Sequence, residues 1–518
     1  DYLGQNGIGV RTVVFEFDYI DKDYTEDYAR FYSRCFRHYP SKCVRLHFFK
    51  YLFDKAEFKQ YLLNQENKNI QDSYAGFVVL RPLPLTIFGK TCLLTYSDNK
   101  EDGSKRYYPT IRKYHAHLFG IKLTVSSIAY QEQDNAFSAC ATSALWVAFQ
   151  ATSKMFGHSI PSPYEITLSA SKYIINKASS IGLYPAQMAY AIKELGLQPT
   201  TLGRTNASSV KAILYAYLRC KIPVIVGVDL FEEDEEFPVG SHGITITGYD
   251  QKRTLLPPPD FVWPNRTTEE DNKEIPFYME SSRIQELYVH DDQIGPFARM
   301  VFEDGIGGNY RLSTSWGRFD DNKVFDKQKG NPRDKRIEAA PTLLMIPLYH
   351  KIRIPFELIL RIVNEFSSFT NLAPFVVWDI YLTTACKLKQ MFRKYNGKIN
   401  EEERLKLLTY NYPRYIWVVD ARLMGMERPE DFPPDFSYYF DATDIPHSDF
   451  FLFALHWEPD SRKLIKDMIQ EVAVNEYESH QVNQIIDYYK DPNKLNPNQT
   501  SSLLKIDPLP KILPTSTI

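Results

Sequence analysis

Hydrophobic and polar positions divide the chain into three stretches with different periodicities. Over residues 1–125 short helix and strand patterns alternate. Asp23-Tyr-Thr-Glu-Asp-Tyr-Ala-Arg-Phe-Tyr predicts a capped amphipathic helix, and Lys55 to Gln65 predicts a second. Tyr74-Ala-Gly-Phe-Val-Val-Leu-Arg-Pro predicts a strand stopped by Pro82 and Pro84, with Arg81-Pro-Leu-Pro read as strand-end punctuation. Gly120-Ile-Lys-Leu-Thr-Val alternates as a strand that leads into the next stretch.

Residues 126–345 carry helical patterns first, at 140–156, 163–177, 185–195 and 208–220. Strand patterns follow at 223–229, 242–249, 285–290 and 299–303. Helices first and an antiparallel sheet second is an α+β order. Two loops interrupt the strands: the acidic run Glu232-Glu-Asp-Glu-Glu236, read as solvated, and a long Pro-rich polar segment over about 251–276. Residues 346–518 form a third α+β region, with helical patterns at 355–366, 377–395 and 461–473. Strands are expected at Tyr415-Ile-Trp-Val-Val-Asp420 and Phe450-Phe-Leu-Phe-Ala-Leu-His456, before an extended Pro/Asn/Ser-rich tail.

Composition narrows the function classes. A chain of 518 residues exceeds one ordinary core. Its 61 Lys and Arg against 64 Asp and Glu leave no basic block for nucleic acid or an anionic membrane. No run reaches the ~18–20 apolar residues that span a bilayer. The six cysteines stand singly, with no CxxC pair, which argues against a zinc ribbon and a disulfide framework and for a reducing cytoplasm. The start, Asp1-Tyr-Leu-Gly-Gln, shows neither a signal pattern nor a Met, so the chain reads as trimmed.

One cysteine stands apart. Cys140 follows the polar, turn-rich Gln131-Glu-Gln-Asp-Asn-Ala-Phe-Ser-Ala and opens an Ala-rich helical run. Unpaired N–H groups and the dipole at a helix start favour an anion, and the thiolate is the reactive form of cysteine. About a hundred residues later His242 opens the alternating strand Ser241-His242-Gly-Ile-Thr-Ile-Thr-Gly248-Tyr-Asp250. A third segment, Leu287-Tyr-Val-His-Asp291-Asp292, ends a short strand in carboxylates. Nucleophile, base and orienting acid on separate elements follow the logic of a cysteine hydrolase triad. Each has a structural alternative: a packed helix cysteine for Cys140, a strand-end histidine for His242 and a turn-capping acid for Asp291 or Asp292. His290 is expected to face outward.

This order resembles the papain-like cysteine peptidase fold, closest to the bacterial branch with the double-glycine leader peptidases and to a bacterial group sharing that core. The match covers roughly residues 126–310. The resemblance implies a helical part carrying the cysteine and an antiparallel sheet carrying histidine and acid. It also implies a Gln before the cysteine in the oxyanion hole. Gln133, seven residues upstream against the family's six, is chosen over Gln131. The family's acid follows the histidine by about sixteen residues; Asp291 follows by forty-nine, and removing the loop after Asp250 restores the distance. Thr314-Ser-Trp-Gly317 departs from the Asn-Ser-Trp-Gly of classical papains, so Asp291 is favoured, with Asp292 beside it.

What the resemblance implies is a cysteine peptidase using Cys140, His242, Asp291 and Gln133, with no cofactor or metal, on a protein or peptide substrate. Neither nucleic acid nor membrane is expected as a partner. An acyltransferase or deamidase would use the same thioester. A degenerate papain-like domain could instead serve as a binding or sensor module.

Overall fold

The computed structural model describes the chain except residues 1, 6, 65–67, 85, 134–139, 173–181, 204–205, 233–235, 253–255, 261–275, 305–309, 315–323, 326–331, 334–336, 395–399, 425–432, 472–479 and 491–518. It is a mixed α+β protein. Three consecutive regions were expected. The chain instead forms two compact, interleaved units. The first joins Asp1–Ala207, Lys221–Lys252 and Ile284–Tyr349; the second joins Ser208–Cys220, Arg253–Arg283 and His350–Ile518. Position 125 marks no division, because one apolar core runs from Tyr2 through Phe77, Val125 and Trp146 to Met345.

In the first unit, Thr12–Tyr19, Cys43–Phe49, Tyr74–Leu80 and Phe88–Leu93 form an antiparallel four-stranded sheet in that order. Asp21 caps the helix Lys22–Arg30 by accepting from the Tyr24 N–H at 3.0 Å. A hairpin, Arg112–Leu118 with Ile121–Ser127, delivers the chain to Tyr130, which bridges to Thr91. The helix Cys140–Phe156 follows. Every residue from Ala141 to Ser153 is buried, so it is a central helix rather than a surface one.

Six antiparallel strands then close a ring. Ile284–Asp291, Gly295–Asp304, Tyr310–Thr314, Ile337–Tyr349, Val224–Glu232 and Gly240–Gln251 pair in that order, and Gly240–Gln251 pairs back onto Ile284–Asp291. The helices and strands read over 140–303 are present, apart from 173–177, which lie outside the described residues. Ile337–Tyr349 escaped the pattern because two prolines and an unbroken apolar run hide its alternation.

The second unit is built on the sheet Pro259–Asp260, Phe277–Met279, Val376–Thr384, Tyr415–Leu423, Phe436–Asp441 and Phe451–His456. The helix expected over 377–395 is a correction. Val376–Thr384 is a strand, and only Ala385–Lys394 is helical. Its first eight residues are all buried, so neither period shows in their polarity. The expected tail lies in 491–518, outside the described residues. No helix among the described residues is long and apolar enough to cross a membrane.

Candidate active site

The His242 strand and the Cys140 helix meet through backbone. A Cβ on Gly243 would come 3.4 Å from the Ala141 Cα, so the residue after the histidine lies directly against the first turn of the helix. Two residues on, Thr245 donates its hydroxyl to the Ala144 carbonyl at 2.8 Å. Gly243 and Thr245 share the face turned to the helix, and His242 precedes Gly243 beside the start of that helix, where Cys140 lies.

The rest of the motif is architectural. A Cβ on Gly248 would fall 2.5 Å from the Tyr107 carbonyl oxygen, which only glycine avoids. The fully buried Asp250 takes Lys100 at 2.6 Å and accepts from the Glu286 and Gln285 N–H groups at 2.7 and 3.3 Å. That clasp fixes the start of Ile284–Asp291 beside the histidine strand, in the register Thr245 to His290 and Ile246 to Val289.

Asp291 ends this strand and serves two purposes. Its Oδ1 accepts from the Gln293 N–H at 2.9 Å, capping the turn, and lies 2.9 Å from His242 Nε2. Asp292 Oδ1 stands 3.5 Å from the same nitrogen. All three side chains are buried. Burial alone would strip His242 of its proton. The Asp291 charge and hydrogen bond, the nearby Cys140 side chain and the Asp292 charge outweigh it, holding the imidazole well above its ordinary value. Burial likewise pushes Asp291 up, but the His242 charge and the hydrogen bonds from His242 and two backbone N–H groups carry it below the ordinary carboxylate value.

His242 Nδ1 is buried and makes no formed hydrogen bond, while Cys140 is near enough to add to the ring's proton affinity. The nitrogen left for the thiol is therefore Nδ1, in a pair that is poised rather than closed; such bonds are often long before substrate binds. Cys140 itself is half-buried.

The structure thus brings Cys140, His242, Asp291 and Asp292 together. Gln133 is half-buried, and 134–139, which link it to Cys140, lie outside the described residues. Gln131 is buried. Thr314 ends a strand opposite Met300, and 315–317 are outside the described residues. His290 corrects the outward reading. It is buried, its Nε2 bonds the Ile128 carbonyl at 3.0 Å and its Nδ1 accepts from the Phe297 N–H at 3.1 Å. Burial, against the pull of hydrogen bonds to the Ile128 and Val289 backbone, brings it down to about 4.

Arg81 is more than punctuation. Buried, with room made by Gly89, it donates to the Glu132 carbonyl at 3.1 Å and anchors the segment before the thiol helix. Tyr130, which sequence reasoning passed over, donates its hydroxyl to the Asp292 carbonyl at 3.2 Å. Neither has a local signal, because each acts across more than fifty residues of chain.

His242, Asp291 and Asp292 offer ligand atoms within 4.8 Å of one another, a spacing a divalent cation could also use. The Asp291 oxygen facing the ring already takes two N–H donors. An imidazolium between carboxylates accounts for the arrangement, and no metal ligand is assigned. No family model matches the chain, and no curated protein matches it.

Proposed function

We propose that the chain is a thiol hydrolase of papain-like design that cleaves a peptide or isopeptide bond. The observation that carries this reading is the buried His242, bonded through Nε2 to Asp291, with Nδ1 left for a cysteine at a helix start. In the reaction the proton given up by the Cys140 thiol is already held on His242 Nδ1, and the sulfur attacks the carbonyl carbon. The tetrahedral intermediate collapses by breaking the C–N bond, and the imidazolium gives that proton to the leaving amine. Water then attacks the thioester and yields its proton to His242, which returns it to the sulfur as the acid leaves. Asp291 holds the ring's orientation and steadies its charge throughout. The Cys140 N–H at the helix start would face the oxyanion, with Gln133 as the second donor; one such donor is worth about 3–4 kcal/mol of barrier. Six free cysteines suit a reducing compartment, and we place the protein in the cytoplasm.

The test is iodoacetamide labelling of wild type and His242→Ala from pH 5 to 9, with the site assigned by mass spectrometry. Cys140 is expected to label readily below pH 7 and to lose that reactivity in the variant. Equal, slow labelling in both would sink the hydrolase reading and leave a binding module. A panel of fluorescent amides, with and without amine acceptors, then separates hydrolysis from acyl transfer.

A further inference from the structure

We infer that Asp292 is a second carboxylate partner of the His242 ring, held in place by Tyr130, so that one nitrogen of the base faces two acids rather than one. The inference rests on the hydrolase reading for its purpose but not for its measurement.

Three observations carry it. First, both carboxylates approach the same nitrogen, Asp291 at 2.9 Å and Asp292 at 3.5 Å, and both side chains are almost wholly buried, at 4% and 2% exposure. Adjacent residues on a straight strand point to opposite faces. Here the chain turns at Asp292, and the Ile294 N–H closes onto the Asp291 carbonyl at 3.1 Å, so both acids reach one side. Second, the backbone of Asp292 is pinned from outside the turn. The Tyr130 hydroxyl donates to its carbonyl, and Tyr130 is itself locked by paired backbone bonds to Thr91 at 2.7 and 2.9 Å and edge-on to His290. Third, Cys140 from the helix and Asp291 and Asp292 from the turn all act on the ring.

A buried imidazolium facing two carboxylates keeps its proton to higher pH than one facing a single carboxylate. For a thiol hydrolase this has a use. The proton that the leaving amine needs stays on the ring, and the positive charge beside the sulfur persists into the alkaline range. Asp292 and Tyr130 are thus positioning residues: neither touches the reacting atoms.

The experiment is a 15N NMR titration of the full chain labelled at histidine, with the His242 signal identified by its absence in His242→Ala. Asp292→Asn is expected to lower the His242 midpoint by about one pH unit, and Asp291→Asn by more. Tyr130→Phe keeps the carboxylate but frees the turn, and should shift the midpoint a smaller distance in the same direction. An unchanged midpoint in a folded Asp292→Asn protein overturns the inference. Should that variant not fold, an unchanged midpoint in Tyr130→Phe does so. The titration needs no substrate. Inert Cys140 with a shifted midpoint therefore defeats the hydrolase reading alone, and reactive Cys140 with an unshifted one defeats this inference alone.

Discussion

His242 and His290 lie on paired strands, His242 three residues before Thr245, the ladder partner of His290, and both are buried. Their chemistry is opposite. His290 is surrounded by backbone: one nitrogen donates to a carbonyl, the other accepts an N–H, and burial holds it neutral down to about 4. His242 faces two carboxylates and a thiol, and stays charged well above its ordinary value. Burial is the same for both. The partner decides whether a buried histidine is a structural peg or a proton carrier.

The comparison can be broken at its strongest point first. Asp291→Asn removes the main charge from His242 and fixes the wrong tautomer, so any hydrolytic rate should fall by roughly a thousandfold or more while the fold survives. Iodoacetamide labelling at pH 6 is the readout when no substrate is known. Next, His290→Ala strands the Ile128 carbonyl and the Phe297 N–H inside the protein. It should cost about 3 kcal/mol, read as a lower urea midpoint, and leave Cys140 labelling unchanged.

Acid sharpens the contrast. A histidine whose folded value is about 4 against 6.5 resists protonation only when folded, so its contribution is intact above pH 6.5 and is lost as pH falls from there toward 4. His242, raised when folded, contributes fully below 6.5 and loses that contribution as pH rises through its folded value. Asp291, lowered, contributes above 3.8 and loses it as pH falls through its own. Between pH 6.5 and 4, then, His290→Phe should flatten the fall in unfolding midpoint, and His242→Phe should not. The smallest effect is expected at the junction itself. Gly243→Ala adds a methyl at ordinary contact distance from Ala141, so it should cost less than about 1 kcal/mol while changing the Cys140 labelling rate a few-fold.

Much of the site was legible because it is local. The strand 242–250 shows its histidine, its two close-approach glycines and its anchoring Asp250 in nine consecutive residues. Cys140 declares itself by the switch from polar turn to Ala-rich helix. What was hidden is what acts at a distance. Asp291 is separated from His242 by residues 253–283, which belong to the other unit, so no spacing rule reaches it without removing them. Tyr130 and Arg81 carry no motif, and their value lies in which carbonyl they meet. The misread helix over 377–395 fails for another reason. A strand buried on both faces has no polar beat to count, and Val376 to Thr383 is such a strand.

The interleaving of the two units has a consequence for how the chain is made. As the nascent polypeptide leaves the ribosome, Val210 to Leu218, nearly all of them buried in the finished protein, emerge long before the strands from Val376 onward to which their unit belongs. The ring around His242 likewise stays open until Ile337–Tyr349 has been synthesised. For most of translation the cell therefore holds a chain with two unfinished cores and exposed apolar helix, a state prone to capture by other chains. A protein stopped at residue 349 would keep the whole Cys140, His242, Asp291 and Asp292 cluster yet carry two orphaned segments of the missing unit, so its yield should depend on chaperones in a way the full chain's does not.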